Sequence, residues 1–103
     1  MKKVVSVADR ILDISVNLTR IGDWIADSYY EKENLIRLFL DQTEEYLSKL
    51  EGKKVSKDLE NVIAVFSSEF AKLKKAQITD DRDFWAEKAL TWANILQHRA
   101  KLA

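Results

Sequence analysis

The chain has no cysteine and no proline, and glycine stands only at positions 22 and 52 of its 103 residues. Without cysteine there are no disulfides, no thiolate nucleophiles, no thiol redox chemistry and no zinc sites of the usual sulfur type, so an apolar core alone must hold the fold. Without proline, long helices can run uninterrupted, and the two glycines leave few places to break them. Net charge is absent too, with 17 basic and 17 acidic residues. Neutralising phosphates needs a basic excess or a concentrated basic face, so this balance speaks against nucleic acid as the partner. No apolar run approaches the ~20 residues that span a bilayer, and no membrane insertion is expected. Asp9, Arg10 and Asp13 interrupt the apolar stretch behind Met-Lys-Lys-Val-Val too early for a signal peptide. The expectation is one domain over residues 1–103, soluble and cytoplasmic.

What the chain does have is helical periodicity. Val4, Val7, Ile11, Ile14, Leu18, Ile21 and Ile25 recur at alternating steps of three and four, which puts them on one side of an α-helix. A second stripe runs through Ile36, Phe39, Leu40, Thr43, Tyr46, Leu47 and Leu50, and ends at Gly52, suited to the left-handed residue that closes many helices. Ser56 reads as the N-cap of a third helix bearing Leu59, Val62, Ile63, Phe66, Phe70 and Leu73, closed by Lys72, Lys74 and Lys75 where cations suit the dipole. Thr79, Asp80, Asp81 and Asp83 announce a fourth helix reaching about Lys101. Between the first two helices, Ser28-Tyr-Tyr-Glu31 has the form of a capping box, which starts the second at Tyr29. Gly22 is a competing break, set aside because the apolar stripe runs through it and an internal glycine costs only about 1 kcal/mol. Four helices with short loops predict an all-α, antiparallel up-down-up-down four-helix bundle. The Gly52 loop and both termini then share one end. The halves also differ in charge: residues 1–52 hold seven Lys or Arg against ten Asp or Glu, and residues 53–103 hold ten against seven. That asymmetry favours docking of one hairpin on the other.

Catalytic signatures are missing. A di-iron bundle needs Glu-x-x-His pairs, yet the sole histidine, His98, follows Ile95 at that spacing. One histidine cannot supply a zinc peptidase pair, no triad is recognisable, and no glycine-rich phosphate loop exists. Helical nucleotide hydrolases hold magnesium on paired acids. Asp41 with Glu44, and Asp80 with Asp83, have the spacing, but the first pair points away from its helix's apolar stripe and the second marks a helix start. Both read as solvated surface. Neither Arg82 nor Arg99 stands at the distance before His98 that helical ribonuclease toxins use. No catalytic residue, cofactor or metal is expected, and the chain reads as a non-enzyme. Glu33 with Arg37, and Glu45 with Lys49, read as i, i+4 surface pairs. Asp80, Asp81 and Asp83 are expected to face the Lys72, Lys74, Lys75 cluster.

Some apolar residues are left over. Val5, Leu12 and Val16 cluster about 150° around the first helix from its core face, and Phe84, Ile95 and Leu102 lie about 110° from the Trp85, Ala89, Trp92, Leu96 stripe of the fourth. Leu35 and Leu38 sit off the second helix's main face. A second apolar surface across the first and last helices predicts docking on a protein partner or on a second copy as a homodimer. Trp24, Tyr29, Tyr30 and Trp85 map to the end opposite Gly52, where they either plug the bundle or line a pocket for a small molecule.

Overall fold

The computed structural model describes residues 6–102. Four helices follow in chain order, α1 (Val7–Asp27), α2 (Tyr29–Leu50), α3 (Lys57–Lys75) and α4 (Arg82–Leu102), with a short 3-10 turn at Ile78–Asp80 and no strand among the described residues. Val4 and Val5 lie outside the described residues.

Side-chain oxygens set three of the four helix starts. The Asp9 backbone N–H donates to Ser6 Oγ at 3.1 Å, Leu59 N–H to Ser56 Oγ at 3.2 Å, and Phe84 N–H to Asp81 Oδ1 at 3.2 Å. Each satisfies a donor that the helix itself leaves free, worth about 1 kcal/mol. The remaining start, at Tyr29, differs from the expected capping box. Ser28 is the only residue between α1 and α2, yet its side chain makes no cap bond. Its backbone does the work instead: Ser28 N–H donates to the Trp24 carbonyl at 2.9 Å, and the Ser28 carbonyl accepts from Lys32 N–H at 3.0 Å. Gly52 has φ of 77°, the left-handed conformation expected after α2.

Cross-helix contacts fix an antiparallel up-down-up-down bundle. Ser15 faces Ala93 and Gly22 faces Ala86 and Leu90, so α4 runs opposite to α1. Asn17 meets Thr43 while Trp24 meets Phe39, so α2 does too. Lys74 of α3 reaches Asp41 and Glu44 of α2, and Phe66 of α3 packs on Trp92 of α4 with ring centroids 5.2 Å apart. The Gly52 loop, the start of α1 and the end of α4 meet at one end, where Ser6, Lys54, Val55, Leu59 and Leu102 line a shallow cleft. Helix α1 is the centre of the core: Ile11, Ile14, Leu18, Ile21 and Ile25 are all buried.

The α1–α4 seam is closer than the apolar stripes alone suggest. Helix α4 presents alanines, Ala86, Ala93 and Ala100, all buried, opposite Ser15 and Gly22. Gly22 is there for space, since a Cβ on it would come within 2.7 Å of Leu90 Cγ and 3.2 Å of the Ala86 carbonyl oxygen. Ser15 Oγ donates across the seam to the Ala93 carbonyl at 2.8 Å. On the other side of α1 the buried Asn17 donates through Nδ2 to Gln42 Oε1 at 3.0 Å and to Thr43 Oγ1 at 3.3 Å, while Thr43 Oγ1 donates to the Phe39 carbonyl at 2.7 Å. These polar groups sit inside the apolar faces and are satisfied there, as burial requires.

Candidate functional site

Helical geometry decides where the leftover apolar residues lie. With Ser15 marking the direction of α4 and Asn17 and Trp24 that of α2, a rotation of about 100° per residue puts Leu12 and Val16 on the outward ridge of α1 between those neighbours. They are 37% and 49% exposed. By the same rotation from Ala93, Phe84, Ile95 and Leu102 fall on the side of α4 about 180° from α1, with Leu102 at the helix end also lining the cleft beside Ser6, Val55 and Leu59. Their exposures are 44%, 36% and 69%, along a line about 27 Å long. The two sets therefore form an α1 ridge and an α4 flank, separate surfaces rather than the single one the helical phases predicted. Val5 lies outside the described residues. Leu35 and Leu38 are exposed on α2, and Val65 of α3, which lies off that helix's apolar stripe, is 55% exposed.

Charge distinguishes ridge from flank. Exposed Asp9, Asp23 and Asp27 share the outward side of α1 with Leu12 and Val16, and Arg20 stands at its margin. Arg10 is turned inward, its guanidinium 4.7 Å from the Tyr46 ring centroid and 3.5 Å from Asp13. On α4 the half-buried Lys88 and Arg99 border the flank, with Lys88 Nζ 5.5 Å from the Phe84 ring centroid.

The aromatic end does not converge on one site. Trp24 packs edge-on against Phe39 at 5.0 Å, between α1 and α2. Trp85 meets Phe84 at 4.9 Å and turns toward Phe66, Phe70 and Leu73 of α3. Tyr29 and Tyr30, themselves 5.3 Å apart, line a separate cleft, of about 290 Å³, with Ile36, Arg37, Lys74 and Ile78. Arg82 closes this end by donating from Nη2 to the Ala26 carbonyl at 3.2 Å, where a cation suits the C-terminus of α1, and its guanidinium lies 5.9 Å from the Tyr30 ring. The buried Arg82 Nε has no hydrogen-bond partner among the described residues.

A larger groove was not foreseen. Between α2 and α3, Leu47, Leu50, Val55, Ile63, Phe70 and Ala71 line an open trough of about 590 Å³ near the Gly52 loop. On its α3 side Ala64, Ser67 and Ala71 recur at helical spacing beside Ile63 and Phe70, and this run of small residues is the sequence signal that marks it.

The acidic pairs resolve differently. Asp41 and Glu44 are solvent-exposed as expected, but both bind Lys74 Nζ, at 3.2 and 2.6 Å. Hydrogen bonding to Glu44 holds the Lys74 ammonium above its ordinary pKa; burial opposes it, and the hydrogen bond to Asp41 adds to the rise. The acids that meet the lysine cluster thus come from α2; Asp80, Asp81 and Asp83 make no ion pair with it, and Lys72 pairs with Glu69 at 3.8 Å. Glu45 and Lys49 pair at 3.3 Å, whereas Glu33 and Arg37 make no ion pair. Among the described residues no group of three His, Asp or Glu side chains could hold a metal ion, and His98 is exposed. No described helix is long and apolar enough to cross a membrane.

The fold and its surfaces define a small all-α four-helix bundle with uncovered apolar helix faces. Comparison with protein-family models, with characterised proteins and with solved structures finds no match.

Proposed function

We propose that this chain is a small non-enzymatic interaction module, an adaptor or regulatory subunit that docks through an apolar helix face. The α4 flank carries the reading. Phe84, Ile95 and Leu102 stay outside the core on a helix whose opposite side is fully engaged with α1, so the bundle can be complete without them. Leu12 and Val16 on the α1 ridge support it in the same way. A protein partner or a second copy is the occupant that such faces suit, and a cysteine-free chain suits the reducing cytoplasm. The test is substitution of the surfaces in turn. Ile95→Asp with Phe84→Asp, or Leu12→Asp with Val16→Asp, should leave the helical circular dichroism and Tm close to wild type while abolishing stoichiometric recovery of a partner protein. Collapse of the fold in these variants would put the residues in the core and end this reading.

A second reading, a small-molecule site, is favoured by the cleft under Tyr29 and Tyr30, whose volume is at the lower edge of ligand pockets, about 300 Å³. Trp24 and Trp85 do not line it, so tryptophan emission is the wrong probe. Chemical-shift changes at Tyr29, Tyr30 and Arg37 on adding a metabolite panel would support it, and none across the panel would dismiss it.

A further inference from the structure

The ridge and the flank carry opposite charge beside their apolar residues. On the α1 ridge Asp9, Asp23 and Asp27 outnumber the one base at its margin, Arg20, beside Leu12 and Val16, while on α4 Lys88 and Arg99 border Phe84, Ile95 and Leu102 on one side and the single acid Glu87 stands on the other. None of Asp9, Asp23, Asp27, Lys88 and Arg99 forms an ion pair with another of the described residues. Asp27 is also badly placed for its own helix. It ends α1, where the dipole favours cations, and the cation that reaches this end, Arg82 of α4, binds the Ala26 carbonyl and forms no ion pair with Asp27.

We infer that a second copy of this chain docks its α4 flank on the α1 ridge, a head-to-tail contact that rests on the interaction reading above and names its partner. Charge selects this pairing over the symmetric ones. Ridge on ridge sets aspartates against aspartates, and flank on flank sets Lys88 and Arg99 against themselves. Only ridge on flank brings apolar residues together with acids opposite bases. A contact of one helix face about 27 Å long falls below the ~1,200 Å² of stable interfaces, which makes the association weak and concentration-dependent. Its ion pairs lie at the rim, so salt weakens it. Because the two faces differ, each pair keeps one free ridge and one free flank, and assembly continues into a ring or a chain.

Charge reversal tests this on the full chain. Asp23→Lys with Asp27→Lys makes the ridge basic and improves the α1 dipole; Lys88→Glu with Arg99→Glu makes the flank acidic. Sedimentation velocity of the wild type from about 10 μM to about 1 mM should show mass rising with concentration and falling back with added salt. Each reversed variant alone, folded by circular dichroism, should associate at least about tenfold more weakly. An equimolar mixture of the two should associate again, since each then supplies the face that the other needs. A mixture that stays monomeric, or wild-type association indifferent to both reversals, overturns the inference. A wild type monomeric to about 1 mM overturns it as well, and leaves the broader interaction reading to the Phe84 and Leu12 variants.

Discussion

Two helix pairs in this bundle are both lined by small residues, and only one of them is closed. At the α1–α4 seam, Ala86, Ala93 and Ala100 meet Ser15 and Gly22, and the backbones come close enough for Ser15 Oγ to reach the Ala93 carbonyl. Between α2 and α3, Ala64, Ser67 and Ala71 meet no complementary small face, and a trough of about 590 Å³ remains. Small side chains permit close approach but do not compel it. The seam closes because larger residues on both its helices, Ile11, Leu18 and Leu96, pack into one core beside it, whereas Lys74 ties α2 to α3 through exposed carboxylates. The α2–α3 connection, residues 51–56, is also long enough to let those two helices stand apart.

Breaking the seam should have the largest effect. Ala93→Leu adds three carbons at a position 3% exposed, facing the Ser15 hydroxyl, and is expected to cost about 3 kcal/mol by overpacking. Gly22→Val should cost a similar ~2–3 kcal/mol, because its Cβ meets both Leu90 and the Ala86 carbonyl. Urea unfolding should show the midpoint falling at unchanged slope. A fall in slope instead would mean that the native state itself had loosened. Asn17→Ala comes next, at about 1–2 kcal/mol, since it removes a donor shared by Gln42 and Thr43 inside the α1–α2 interface.

Much of this was legible in the sequence, for a physical reason. The α1 stripe from Val7 to Ile25 follows from helical period and burial alone, and so do the Ser56 cap and the left-handed Gly52. The unbroken apolar stripe places Gly22 inside the helix, but periodicity does not say that Leu90 requires it to be glycine, because that contact links residues far apart in the chain. The same limit hid the Lys74 clasp and the inward turn of Arg10. It also merged ridge and flank into one surface: helical phase gives each residue's direction about its own axis, and only the seam at Ser15 and Ala93 fixes how the two axes are turned.

The Lys74 clasp should matter less than the seam. Lys74→Met is expected to cost about 0.5–1 kcal/mol, the range of exposed ion pairs, although two carboxylates are released together. The sign with pH follows from the direction of the shift. A lysine held above its unfolded pKa, about 10.4, contributes stability that is fully present below that value and is lost as pH rises through the higher folded value. Wild type should therefore lose more stability than Lys74→Met between pH 10 and about 12. Parallel loss in the two proteins would remove the clasp from the account.

The smallest expected effect is the most direct test of the comparison. Ala71→Leu makes the same chemical change as Ala93→Leu but in the open trough, where Ala71 is exposed and lines a space that can receive the added carbons. Stability should change by no more than about 0.5 kcal/mol, and any gain would come from the leucine covering Leu47 or Ile63. The pair of substitutions thus measures openness: several kcal/mol at the seam and almost nothing at the trough. If Ala71→Leu instead costs about 2 kcal/mol, α2 and α3 close on each other in solution, and their small residues do there what Ala93 does against Ser15.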